Sequence, residues 1–125
     1  MELNKYQEQA MKTCMPSSNN FSYMMLNLVG EVGEFASKVA KAIRKDIAYI
    51  GGTAEEHQFD SNLYLPSDFD EQREELMKEA GDIMWQVAGL CSVMGWSLED
   101  VCQQNLDKLA SRQERGKIDG NGDNR

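Results

Sequence analysis

Two stretches of the chain, Leu28-Val29-Gly30-Glu31-Val32-Gly33-Glu34-Phe35 and Leu76-Met77-Lys78-Glu79-Ala80-Gly81-Asp82-Ile83, are copies of one frame and align without a gap. Each sits inside a longer apolar repeat of helical period. Met25, Leu28, Val32, Phe35, Val39 and Ile43 carry the first repeat, and Leu76, Ala80, Ile83, Val87, Leu90 and Met94 the second. At about 100° per residue, Glu31 and Glu34 stand roughly 60° and 120° to one side of Leu28, at the border of the apolar stripe. Glu79 and Asp82 repeat that offset from Leu76. Helices whose stripes face each other therefore bring four carboxylates toward one place. Gly33 and Gly81 lack side chains and are expected to permit close backbone approach there, despite a helix cost of about 1 kcal/mol each.

Four clustered carboxylates repel one another and take up protons unless a cation neutralises them, and hard oxygen donors suit Mg²⁺ or Mn²⁺. An isolated Glu-x-x-Glu spacing is ordinarily a solvated helix face. Its repetition in a matched frame favours a site. A di-iron bundle needs Glu-x-x-His pairs, and the single histidine, His57, falls outside both frames, where it reads as a surface loop residue.

The rest of the chain is legible around these two helices. Leu3, Tyr6, Ala10, Met11 and Cys14 recur at helical intervals ahead of Pro16, and 17–20 reads as a loop. Between Asp46 and Asp70 the period dissolves into an irregular insertion that needs no strand. Gly95 stands where a helix would stop. Ser97, followed by Glu99 and Asp100, caps a fourth helix carrying Leu98, Val101, Leu106 and Leu109, which ends near Arg115-Gly116. Residues 117–125 hold too few apolar groups to order themselves and read as a flexible Gly-rich tail. The expected fold is an all-α bundle of four to five helices, one domain over 1–116.

The 125 residues, 41% hydrophobic, fit a single small domain, and a domain of this size with eight Met residues is expected to complete itself by forming a homodimer or homotetramer. A net charge of −8 argues against binding a nucleic-acid polymer, which requires clustered cations. It does not exclude a small phosphorylated ligand, since divalent cations reconcile the two negative partners. No segment has the roughly 18 uninterrupted apolar residues of a membrane span. The N-terminus lacks a signal peptide's apolar core, and Cys14, Cys91 and Cys102 read as reduced thiols, so the expected place is the cytoplasm.

At the two acidic frames the sequence resembles the MazG-type all-α nucleotide pyrophosphohydrolases, whose signature is E-x-x-E on one helix and E-x-x-D on a later one. The resemblance covers most of the chain. It extends to Tyr6-Gln7, to Gly81-Asp82-Ile83-Met84-Trp85, to Asn105-Leu106-Asp107-Lys108-Leu109 with Arg112 and Arg115-Gly116, and to the ending Gly122-Asp123-Asn124-Arg125. It implies magnesium at Glu31, Glu34, Glu79 and Asp82, and triphosphate contacts from the Asn105, Lys108 and Arg112 face. Asn105, Lys108, Arg112 and Arg115 are spaced by three or four, so one helical stripe presents an amide and three cations suited to phosphate. Lys38 continues the acidic stripe of Glu31 and Glu34 and is a further phosphate candidate.

The reaction that the resemblance implies is attack of a metal-activated water on the α-phosphorus of a (d)NTP, giving (d)NMP and pyrophosphate in nucleotide-pool housecleaning. Glu34, with Glu31, is the expected catalytic carboxylate, orienting or deprotonating the water. Two rival readings are a phosphoribosyl-ATP pyrophosphohydrolase and a non-catalytic nucleotide-binding helical oligomerisation module. The sequence departs from the family's pattern in its long 46–70 insertion. It departs again at Gln86, where some pyrimidine-selecting relatives carry an aromatic residue. Trp85, roughly opposite Leu76, is expected to pack against another subunit.

Overall fold

The structure is a computed structural model describing residues 1–51, 61–65 and 70–125. His57 and much of the 46–70 insertion lie outside these residues. Four α-helices carry the described fold: α1 (Leu3–Met11), α2 (Phe21–Arg44), α3 (Asp70–Val93) and α4 (Leu98–Glu114). Between α1 and α2 the expected loop contains a short 3₁₀ turn, Pro16–Ser18, with proline at its first position. Asn20 then caps α2, its Oδ1 accepting from the Tyr23 N–H at 2.8 Å.

Three helices end in the same way. In the Schellman geometry the residue past the cap turns left-handed and two following N–H groups satisfy the last free carbonyls. After α2, Asp46 takes φ 58°, and Asp46 and Ile47 donate to Ile43 and Ala42 at 3.0 and 2.9 Å. After α3, Gly95 takes φ 72°, with Gly95 and Trp96 donating to Ser92 and Cys91 at 3.1 and 2.8 Å. Gly116 and Lys117 do the same after α4, at 3.2 and 2.7 Å from Gln113 and Arg112.

The all-α expectation is met but for one addition. Tyr49–Ile50 (β1) and Leu63–Tyr64 (β2) pair antiparallel, with Tyr49 opposite Tyr64 and their rings stacked at 5.1 Å. Two residues per strand leave no alternation for sequence periodicity to detect.

The chain divides into two compact units. One comprises Met1–Met24 with Ala88–Arg125, and the other Met25–Val87. In the first, α1 is pinned to the start of α4 by two amides. Gln7 donates to Ser92 Oγ and to the Trp96 carbonyl, both at 3.0 Å, and accepts from the Leu98 N–H at 2.8 Å. Asn4 Oδ1 accepts from the Ser97 hydroxyl at 2.7 Å, while Ser97 itself caps α4 by accepting from the Asp100 N–H. Met24 is wholly buried and fills the space over Gly89, where any Cβ would collide with its thioether. In the tail, Arg125 donates to the carbonyls of Lys117, Ile118 and Gly122, and Arg115 to the Arg125 carbonyl at 2.7 Å.

The second unit buries much less of its apolar surface. Leu28, Phe35 and Val39 are half-buried, as are Leu76, Ile83 and Val87, but Met25, Val32, Ile43 and Ala80 of the expected stripes are exposed. Leu26, Val29 and Met77 are more open still, at 75%, 69% and 74%. The expected close approach at Gly33 and Gly81 does not occur in the chain, since a Cβ at either would meet nothing within 4 Å. Long acidic and basic side chains, not helix backbones, close the space between α2 and α3 here.

Candidate metal and nucleotide site

The acidic frames converge within the second unit. Glu31 on α2 and Glu79 and Asp82 on α3 each offer a carboxylate oxygen, and the three oxygens lie within 4.8 Å of one another. The helices run antiparallel through the site. Glu31 meets Asp82 and Glu79 electrostatically, and Lys38, two turns further along α2, meets Glu75 and Glu79, which precede Asp82 on α3. Glu79 is buried, with 9% of its surface accessible.

Burial is the chief reason that the Glu31 carboxyl titrates above its ordinary 4.5, followed by the charges of Asp82 and Glu79. Asn27, one turn earlier on α2, opposes the shift by donating to Glu31 Oε1 at 3.4 Å. Glu34 is exposed and stands outside the group of three, yet its charge also raises Glu31.

Lys38, expected to meet phosphate, sits on the acids. Its Nζ lies 2.6 Å from Glu79 Oε1 and 3.1 Å from Glu75 Oε2, and the hydrogen bonds it donates to these carboxylates, first to Glu79, hold its pKa above the usual lysine value. A cation thus already rests against one member of the cluster. Three convergent carboxylates with a neighbouring amide form a hard oxygen set, which fits Mg²⁺ or Mn²⁺ and offers no soft ligand.

The α4 candidates belong to the first unit. Lys108 and Arg112 share one partner, Asp123 of the tail, whose Oδ1 lies 3.2 Å from each. Those hydrogen bonds, first from Lys108, hold the Asp123 carboxyl below its ordinary range. Arg112 is 4% exposed and donates also to the Asp123 and Gly122 carbonyls, while its buried Nε has no partner among the described residues. Asn105 on α4 and Arg115 at its C-cap are exposed. Gln86, one turn past Asp82, is 3% exposed, and its Oε1 has no partner among the described residues.

Sequence reasoning passed over Asn27, Glu75 and Asp123. The first two carried a signal, each lying four residues before a frame acid on the same helix face. Asp123 carried only its place in the Gly-Asp-Asn-Arg ending, since its pairing depends on how the chain folds back after Gly116.

Paired Glu-x-x-Glu and Glu-x-x-Asp helices with convergent acids define a class of helical, metal-dependent phosphohydrolase. Residues 19–116 match the MazG nucleotide pyrophosphohydrolase domain, and the chain belongs to that family. It is 39% identical over 109 residues to the Gene 37 protein of Mycobacterium phage L5, covering 87% of this chain and 80% of that relative. It is also 35% identical over 86 residues to the "uncharacterized protein YvdC" of Bacillus subtilis (strain 168), covering 69% of this chain and 73% of the relative. No solved structure matches it significantly. Among the described residues, no helix is long and apolar enough to cross a membrane.

Proposed function

We propose that the protein hydrolyses nucleoside triphosphates between the α- and β-phosphates, giving (d)NMP and pyrophosphate, with Mg²⁺ held by Glu31, Glu34, Glu79 and Asp82. The observation that carries this reading is the meeting of three frame carboxylates, their oxygens within 4.8 Å, in a chain of the MazG family. Mg²⁺ bound there would neutralise phosphate charge and lower the pKa of water. Glu34, exposed outside the group of three, orients or deprotonates the attacking water through a carboxylate oxygen that the ion leaves free. A bond forms from the water oxygen to the α-phosphorus, the α–β bridging P–O bond breaks, and pyrophosphate leaves with the electron pair.

The phosphate-binding candidates are, in the second unit, Lys38 and, taken by itself in the first, the stripe of Asn105, Lys108, Arg112 and Arg115. Asp123 occupies Lys108 and Arg112 as a carboxylate, so these cations are already disposed to accept anionic oxygen. The open apolar surface of Leu26, Val29 and Met77 supports assembly into a homodimer or homotetramer. Nucleotide-pool housecleaning in the cytoplasm is consistent with three free cysteines.

The test is a panel of canonical and damaged dNTPs and NTPs, with phosphoribosyl-ATP included, assayed for pyrophosphate with Mg²⁺. Release from one or more nucleoside triphosphates is expected. Failure across all of them sinks this reading.

A further inference from the structure

We infer that Asp123 is a built-in competitor for phosphate: in the free protein its carboxylate fills the place between Lys108 and Arg112 that a triphosphate takes over. This rests on the reading that the α4 stripe binds phosphate, and it adds how that stripe is regulated. Every residue involved belongs to the first unit. One oxygen, Asp123 Oδ1, lies 3.2 Å from both Lys108 Nζ and Arg112 Nη2. An oxygen shared between an ammonium and a guanidinium is held as a phosphoryl oxygen would be.

The burial of the partners is lopsided, which makes the contact exchangeable. The Asp123 side chain is 85% exposed, so its withdrawal into water costs little, as for other surface ion pairs. The Arg112 side chain is only 5% exposed, and an enclosed guanidinium deprived of its anion is costly. Asp123 therefore gives way readily, but only to another anion. A triphosphate, carrying several negative charges, outcompetes a single carboxylate for two cations.

The tail is built so that the carboxylate can leave while its support stays. Arg112 Nη2 also donates to the backbone carbonyls of Asp123 and Gly122, at 3.1 and 3.4 Å. Arg125 ties the same loop from within, donating to the carbonyls of Lys117, Ile118 and Gly122 at 3.0, 3.3 and 2.7 Å. Gly122, at φ 80°, makes the turn that presents Asp123. None of these contacts uses the Asp123 carboxylate, so rotation of that side chain alone frees the two cations.

The test titrates inorganic tripolyphosphate into the whole metal-free chain at low ionic strength, by calorimetry, for the wild type, Asp123→Asn and Asp119→Asn. Asparagine keeps the size and the acceptor oxygen of Asp123 while dropping its charge, and the exposed Asp119 of the same tail controls for net charge. Asp123→Asn should bind tripolyphosphate about three- to tenfold more tightly than the wild type, and Asp119→Asn within about twofold of it, with helical circular dichroism confirming the fold of each. Unchanged or weaker binding by Asp123→Asn, an equal gain in Asp119→Asn, or no binding by any of the three overturns the competitor. Pyrophosphate release from nucleoside triphosphates, measured separately, then still decides the hydrolytic reading. If no nucleotide releases pyrophosphate, hydrolysis falls, while a gain in tripolyphosphate affinity confined to Asp123→Asn upholds the exchange.

Discussion

Glu79 is the residue on which the site turns, being both the most enclosed frame acid and the partner of Lys38. Glu79→Ala is expected to lower Mg²⁺-dependent pyrophosphate release by about 100-fold or more while far-UV circular dichroism stays helical. A solvated acidic face would tolerate the change. Glu31 yields a prediction in pH. Its folded pKa is raised, so between about 4.5 and that raised value the folded state binds more protons than the unfolded one, and stability falls as pH rises. Glu75, whose pKa is depressed from 4.5, opposes that slope at the lower edge of the window, where its unfolded carboxyl still holds protons, and Asp123, depressed from 3.8, does so less. Replacing Glu31 removes its share alone, so above pH 4.5 the urea midpoint of metal-free wild type should fall relative to that of the Glu31→Gln variant as pH rises. Lys38 adds a linkage: an ion that takes Glu79 displaces an ammonium, which is then available to phosphate, so each ligand should strengthen the other's binding.

Among the elements, the glycines separate two kinds of helix surface. Gly89→Ala drives a methyl into the buried thioether of Met24 and should cost about 1 kcal/mol or more in chemical denaturation. Gly81→Ala meets open space and should stabilise the isolated chain by about 1 kcal/mol through helix propensity alone. Sequence period and capping chemistry foretold α2, α3 and α4, with the stop at Gly95 and the cap at Ser97, because these signals are local. Of the four frame acids, Glu31, Glu79 and Asp82 come together as the repeated offset from an apolar stripe leads one to expect, whereas Glu34 stands outside them. Burial was not legible in this way. A stripe says which face is apolar and not whether the chain itself covers it, so Met24, off the expected stripe, is buried while Val32, on it, is exposed. The Asp123 partnership and the Tyr49–Tyr64 pair join residues whose meeting depends on the intervening chain, and no local pattern encodes it.

For the whole molecule, the bare faces of α2 and α3 are the dominant feature. Burying side chains such as Leu26, Val29 and Met77 contributes roughly 1.5–3 kcal/mol each, enough for a modest set of them to hold copies of the chain together. Sedimentation should find a dimer or tetramer at micromolar concentration, and the double variant Val29→Lys, Met77→Lys should sediment as a monomer of unchanged helicity. A monomeric wild type would remove the proposal. Leu26, Val29 and Met77 belong to the same unit as Glu31, Glu79 and Asp82, so whatever covers the first group also shelters the helices that carry the second. Where assembly of copies completes the site, specific activity should climb with the amount of protein in the assay and decay on dilution, a dose dependence that an enzyme folded to completion as a single chain would not show.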